Sequence, residues 1–434
     1  MRHLVALALV LPAAACADAF APEDGEPLPF EPPPPPIASI TASTSGPGNP
    51  QYIYRVDIEG VYSVHVLPGK PVEMFSNLGE FRLTGIAPGC SAADNPRTVP
   101  LTGDTVYVHF DVTCRAPPPE VAAVGQMLID GQYIVGYDSL GRSARVLGIG
   151  LSPAWRPDGK AIAFITWVGP ARQVMVLDMA TGSTLPVGDT FAWESWEGQL
   201  LAWHPDGTRL AFGSGSGLRL LDVPGGGQVT LEPDLGVIRN VDWSPSGDSL
   251  VVSSDSGIAL VAADASGRRV LPETNGFGDA SPSWSPDGEW IAIARNVISW
   301  PGCPCGPGIG FGFPLFSSRT THAAADNLIL ARSDGTEPHM IFETSEGGGF
   351  AWSPDGSRIG YTGSYGAVHV ALPEGGTPIS LGVTGIPSWT ADGRIRVHGA
   401  EGVHLFEADG TGGTMVVGPE AESMLTYGGV LGWR

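Results

Sequence analysis

Ala351-Trp352-Ser353-Pro354-Asp355-Gly356, with Ile359 three residues past the glycine, recurs in variant form along the C-terminal three quarters of the chain. The other copies are Trp155-Arg-Pro-Asp-Gly159, Trp203-His-Pro-Asp-Gly207, Trp243-Ser-Pro-Ser-Gly247, Trp284-Ser-Pro-Asp-Gly288 and Trp389-Thr-Ala-Asp-Gly393. A period of about 40 residues signals a repeat architecture and has to be read before anything else. Each copy describes a tight reversal between two strands: Pro presets the first corner, Asp bonds its own backbone, and Gly accepts a positive φ. Ile162, Leu210, Leu250, Ile291 and Ile359 all fall three residues past their glycine, so the outgoing strand starts in one register. The copy at Trp389 is one residue shorter, with Ile395 in that role.

A second half-repeat follows each turn as two short apolar strands joined by a Gly- or Asp-containing turn, for example Val174 to Val187, Leu218 to Leu231 and Val403 to Val417. These second halves number seven, against six complete first halves. The missing first half is expected at Val430-Leu-Gly-Trp433, closing a ring with the unit that residues 120–150 begin. A longer gap between Trp284 and Trp352 marks one unit that carries an insertion.

Composition agrees with an all-β reading. The chain has 434 residues, 61 of them Gly and 40 Pro, only 16% charged, and no window has convincing helical spacing. Its net charge of −22, with Lys70 and Lys160 the only lysines, argues against nucleic acid, because phosphate binding needs clustered Lys and Arg.

Residues 1–15 read as an export signal, with Arg2, an apolar run from Leu4 to Leu11 and the small residues Ala13-Ala14-Ala15. Cys16 follows at once, and the junction resembles the lipobox of bacterial lipoproteins, which implies lipidation of Cys16. Ordinary cleavage beyond Cys16 is the alternative. Residues 16–37 are acidic and rich in proline, a composition that extends rather than packs. Residues 38–116 alternate as a small β-domain, and Cys90 and Cys114 are the natural disulfide pair of an exported protein. The pattern Leu83-Thr-Gly-Ile-Ala-Pro-Gly89, then Asn95-Pro-Arg-Thr-Val99, is similar to small immunoglobulin-like or PEGA-like sandwich domains.

Residues 117–434 resemble the PD40 family, the WD40-like repeats of TolB-type propellers, on the strength of Trp-Ser-Pro-Asp-Gly-x-x-Ile. The resemblance implies four-stranded blades around a channel. The expected architecture is thus a β-propeller of about seven blades behind a small β-sandwich. Six blades, as in TolB, is the alternative.

The repeated Trp and Asp are structural, since a residue present in every blade serves packing and turning rather than one reaction. Before the tryptophans stand Ala154, Ala202, Asp242, Ser283, Ala351, Ser388 and Gly432. Asp242 is the one charge in that series, a candidate channel residue for a cation or amine, unless its carboxylate merely caps neighbouring backbone amides. No catalytic constellation, metal-ligand spacing or cofactor motif is visible. His369 and His404 occupy equivalent strand positions and fit blade packing. The insertion at 297–325 holds Trp300, Phe311, Phe313 and Phe316, either a lid on the propeller or anchors for a partner; the state of Cys303 and Cys305 stays open. The expected function is an exported, lipid-anchored, non-catalytic module of a bacterial envelope. It would bind a protein, peptide or glycan, without cofactor, and touch a membrane through its lipid alone. A propeller enzyme of hydrolase or lyase type, with its site at the channel mouth, is the opposing reading.

Overall fold

The computed structural model describes residues 37–433 except 48–50, 59–61, 76–78, 85, 88, 100–104, 116–120, 122, 128–132, 138–143, 193–199, 215–216, 272–278, 296–324, 400–401 and 418–429. The export signal, Cys16, the proline-rich segment and all four insertion aromatics (Trp300, Phe311, Phe313 and Phe316) lie outside the described residues, as do Cys303 and Cys305. The chain divides into two compact units, Met1–Pro118 and Pro119–Arg434.

In the first unit, Ile37–Ser45 runs parallel to Thr105–Cys114 and is flanked on its other side by Val72–Phe75, while Cys90–Ala92 borders Thr105–Cys114. A second set of strands joins Tyr52–Ile58 to Tyr62–Val66 and to Glu80–Thr84. Thr105–Cys114 alternates exposed and buried residues without a break, so Val106, Val108, Phe110 and Val112 enter the core and Tyr107 faces water. Val108, Phe110 and Val112 meet Ile40, Tyr54, Val56 and Phe81 in one apolar cluster shared by both sets of strands. The Cys90–Cys114 disulfide is formed, tying the edge strand to its neighbour.

The second unit is a succession of four-stranded antiparallel sheets, each in the order of its sequence. Sheet A contains Leu151–Trp155, Ala161–Val168, Ala171–Asp178 and Thr184–Phe191. Sheet B contains Leu201–Trp203, Arg209–Ser214, Gly217–Asp222 and Gln228–Glu232. Sheet C contains Ile238–Trp243, Ser249–Ser254, Gly257–Ala262 and Arg268–Val270. Sheet D contains Asp279–Trp284, Trp290–Arg295, Ala325–Arg332 and His339–Gly348. Sheet E contains Phe350–Trp352, Ile359–Thr362, Ala367–Ala371 and Ile379–Thr384, and sheet F contains Ile386–Trp389, Ile395–Gly399, Gly402–Phe406 and Thr414–Val417. Ahead of them, Ala123–Met127, Tyr133–Tyr137 and Ala144–Ile149 pair in turn, and Val430–Trp433 adds antiparallel to Ala123–Met127. The C-terminal strand therefore lies in one sheet with the strands that open the unit.

The first strands of sheets A, B, C and D lie side by side, as do those of E and F, and the apolar faces of D and E share the cluster of Trp290, Leu330, Trp352 and Tyr361. Such side-by-side packing, with first strands innermost, is the arrangement of a propeller.

The Trp-Ser-Pro-Asp-Gly stretch forms the turn between first and second strands, and each of its residues has a mechanical task. The glycine N–H donates to the carbonyl three residues back, as Gly247 does to Ser244 and Gly356 to Ser353. The serine hydroxyl accepts the N–H of the residue five positions on, at or just before the outgoing strand: Ser285 from Trp290 at 2.9 Å and Ser353 from Arg358 at 2.9 Å. In the short sixth copy Thr390 accepts from Arg394 instead, one residue earlier. Where Ser246 replaces the usual Asp, Asp248, two residues on and just past the glycine, supplies the carboxylate to both Ser244 and Ser246. The Ser353 hydroxyl holds Asp355 below the ordinary carboxylate range, and Thr390, then Arg394, hold Asp392 at about 2.

Candidate functional site

The inner ends of the sheets decide what the second unit can do, because the outer strands are committed to packing. Trp203 Nε1 donates to the Ala154 carbonyl at 3.1 Å, Trp243 Nε1 to Ala202 at 3.1 Å, and Trp389 Nε1 to Ala351 at 3.0 Å. Each indole thus reaches the residue that precedes the tryptophan of the sheet before it, an indole-to-carbonyl latch across the joint. Sheet D breaks the series on both sides. Trp284 and Trp352 have buried indole nitrogens with no hydrogen-bond partner among the described residues. Their targets would be Asp242 and Ser283, and at the three latched joints that position is alanine. Asp242 reaches across its joint to the Trp284 backbone, whereas the Ser283 hydroxyl bonds to Asp242 in the sheet before its own.

Asp242 lies at the joint between sheets C and D. Its Oδ2 accepts the Trp284 backbone N–H at 2.9 Å and the Ser283 hydroxyl at 3.3 Å. The carboxylate is bonded to a neighbouring backbone amide, the role that the sequence set beside cation binding. His369 stacks on Tyr361 with ring centres 5.3 Å apart and His404 tilts against Phe406, both contacts inside their own sheets. Among the described residues no group of three or more His, Cys, Asp or Glu side chains could hold a metal ion.

The repeat unit is a β-propeller. No family model matches the chain, and no curated protein matches it. Among solved structures it is similar to TolB from Acinetobacter baumannii, at 17% identity and a TM-score of 0.42 over 59% of this chain and 63% of that one, less than two thirds of its length. A putative TolB from Agrobacterium tumefaciens is 20% identical over 55% of this chain and 84% of that one, with a TM-score of 0.37. An oligogalacturonate lyase in complex with manganese is 15% identical over 67% of this chain and 91% of that one, with a TM-score of 0.44.

One pair escaped the sequence reading. Ser388 Oγ and His398 Nε2 are 3.2 Å apart, and both residues are buried. The short turn of the sixth copy brings His398 opposite Ile386, the register position of Ser253 in sheet C, so counting past the turn glycine was the signal that would have found it. Burial, and then the Arg396 charge, push the His398 imidazole down to about 3. At neutral pH the ring is therefore uncharged. An unfolded histidine titrates near 6.5, so between pH 6.5 and 3 the unfolded chain holds one more proton at this position than the folded chain. The resulting stability is complete above pH 6.5 and is lost as pH falls toward 3, at about 1.4 kcal/mol per pH unit. Urea unfolding of the intact protein and of His398→Gln at pH 7, 6, 5 and 4 should show a steeper acid loss for the intact protein. Equal slopes would remove His398 from the account.

Proposed function

We propose that this chain is a non-catalytic binding module of a bacterial cell envelope: exported, lipid-anchored through Cys16, and built as a seven-unit propeller behind an immunoglobulin-like or PEGA-like domain. A partner protein, peptide or glycan binds through residues 297–325, with Trp300, Phe311, Phe313 and Phe316 as anchors. The observation that carries this reading is the placement of that segment. Trp290–Arg295 and Ala325–Arg332 are paired neighbours, Arg295 opposite Asn327, so residues 296–324 leave and return at adjacent points on one sheet. Sheets B, C and F cross the same connection between their second and third strands in two residues. This connection lies at the end of the sheet opposite the Pro-Asp-Gly turn. Strands are fixed by packing while connections are free to differ, so a single enlarged connection marks the specialised face.

Ser388 and His398 favour a second reading, an enzyme, because a hydroxyl beside an imidazole is the minimum of nucleophilic catalysis. Ser388 is 0% and His398 5% exposed, and an imidazole held near pKa 3 is a poor base at neutral pH. Binding is the stronger reading. Replacing residues 297–325 with a four-residue turn should leave the thermal transition nearly unchanged and abolish capture of the partner from an envelope extract. Capture that survives places the interface elsewhere. Loss of the transition makes the aromatics part of the core. Turnover of glycan or peptide substrates that disappears in Ser388→Ala would replace binding with catalysis.

A further inference from the structure

The joint between sheets C and D is made of different chemistry from its neighbours. Residues 240–243 pair without interruption with 250–253, so side chains alternate strictly across the two strands. Val241 and Trp243 go to the apolar cluster shared with sheets A and B, whereas Val251 packs with Trp284, Ile291 and Ile293 of sheet D. Asn240, Asp242 and Ser253 share the face of Val251 and are turned toward sheet D. Asn240 is 2% exposed and Ser253 is 0% exposed, and the two are cross-strand partners.

Four polar atoms there lack a hydrogen-bond partner among the described residues: Oδ1 and Nδ2 of Asn240, Oγ of Ser253, and Nε1 of Trp284. A buried donor or acceptor in that condition has given up its hydration with nothing returned. At the joints before it the residues matching Asp242, Val251 and Ser253 are apolar or glycine, Ala154, Ala163 and Ile165 in sheet A and Ala202, Ala211 and Gly213 in sheet B, while Asn240 is matched by the buried Ser152 in sheet A and by Leu200 in sheet B, and the indoles are latched.

We propose that the joint between sheets C and D encloses a site for water, a small neutral molecule that both donates and accepts, held by the Asn240 amide, the Ser253 hydroxyl and the Trp284 indole N–H. Two to four polar partners are what a buried water requires, and this set supplies donors and acceptors together. A cation fits poorly, because Asn240 Nδ2 and Trp284 Nε1 present protons and Asp242 Oδ2 is already taken by the Trp284 N–H and the Ser283 hydroxyl. An anion would be repelled by Asp242. The ring is then dry where alanine precedes the tryptophan and wet where asparagine and aspartate share the face.

A crystal structure at a resolution that reveals ordered water should place at least one within hydrogen-bond distance of two of these three residues. An empty gap, a cation, or direct bonds from Asn240 and Ser253 to protein groups would overturn the proposal. Stability gives an independent test whose sign differs between the cases. Asn240→Leu keeps the volume, expels the water, and strands the Ser253 hydroxyl and the Trp284 N–H, so the unfolding equilibrium constant should rise about tenfold. In a dry joint the same change removes two unpartnered atoms and stabilises the protein, which would refute the site. If Asn240→Leu fails to fold, Ser253→Ala carries the same contrast with a smaller loss.

Discussion

Trp243→Ala is expected to destabilise the propeller unit by about 3–5 kcal/mol, the range for truncating a fully buried aromatic side chain. Trp243 is 1% exposed and packs among Leu210, Val241 and Leu250 of the cluster that spans sheets A to C. It also donates to the Ala202 carbonyl, so the variant loses a hydrogen bond between sheets together with its packing. Phenylalanine separates the two contributions. Trp203→Phe, Trp243→Phe and Trp389→Phe each remove a latch, whereas Trp352→Phe removes an indole N–H that has no partner among the described residues. The three latched positions should each cost about 1 kcal/mol more than Trp352→Phe in urea unfolding. Equal costs at all four positions would mean that the latches contribute nothing beyond packing.

The second large effect is expected at Gly247. Its φ is +77°, and a Cβ there would lie 2.3 Å from His204 Nε2. His204 has little room to yield: its ring meets the Trp243 ring edge-on at 4.7 Å, its Nε2 faces the Gly247 carbonyl at 3.1 Å, and its Nδ1 faces Asp206 Oδ1 at 2.8 Å. Gly247→Ala should therefore cost about 3 kcal/mol, combining the left-handed backbone penalty of roughly 1–2 kcal/mol with overpacking of similar size. The double variant Gly247→Ala/His204→Ser tests the division. Serine is the native residue at the equivalent positions 244, 285 and 353, so it should recover the overpacking share and leave the backbone share. A double variant no better than the single one would show that the clash with His204 is not the cause.

The turns, the strand register and the Cys90–Cys114 bridge were legible in the sequence because each depends on residues a few positions apart or on a pairing with few alternatives. The latches were not, although their signal was present. Ala154, Ala202 and Ala351 differ from Asp242 and Ser283 in the series that precedes the tryptophans, but the meaning of that difference lies in the gap between two sheets, which no single repeat contains. The sequence picked out Asp242 for its charge, while its observed bonds are to the Trp284 amide and the Ser283 hydroxyl. Asn240 and Ser253 drew no attention, since a lone amide and a lone hydroxyl on two strands become a pair only once the register sets them opposite one another. Ser388 and His398 were hidden for a related reason, a turn shortened by one residue.

The turn glycines also constrain how these repeats can be rearranged. Gly207 lies against Arg156, Gly247 against His204 and Gly356 against Asp287, in every case a residue from the turn of the sheet before it. Each of these three turns is therefore a socket shaped for its predecessor, whereas the short turn at Gly393 meets nothing there. A repeat moved elsewhere in the ring would keep its own strands and meet a foreign neighbour: sheet C placed after sheet D would offer Gly247 to Asp287, not to the imidazole it accommodates now. Copying or shuffling units is then tolerated only when adjoining turns travel as matched pairs, and the smallest exchangeable module in this ring is the boundary between two repeats, not the repeat itself.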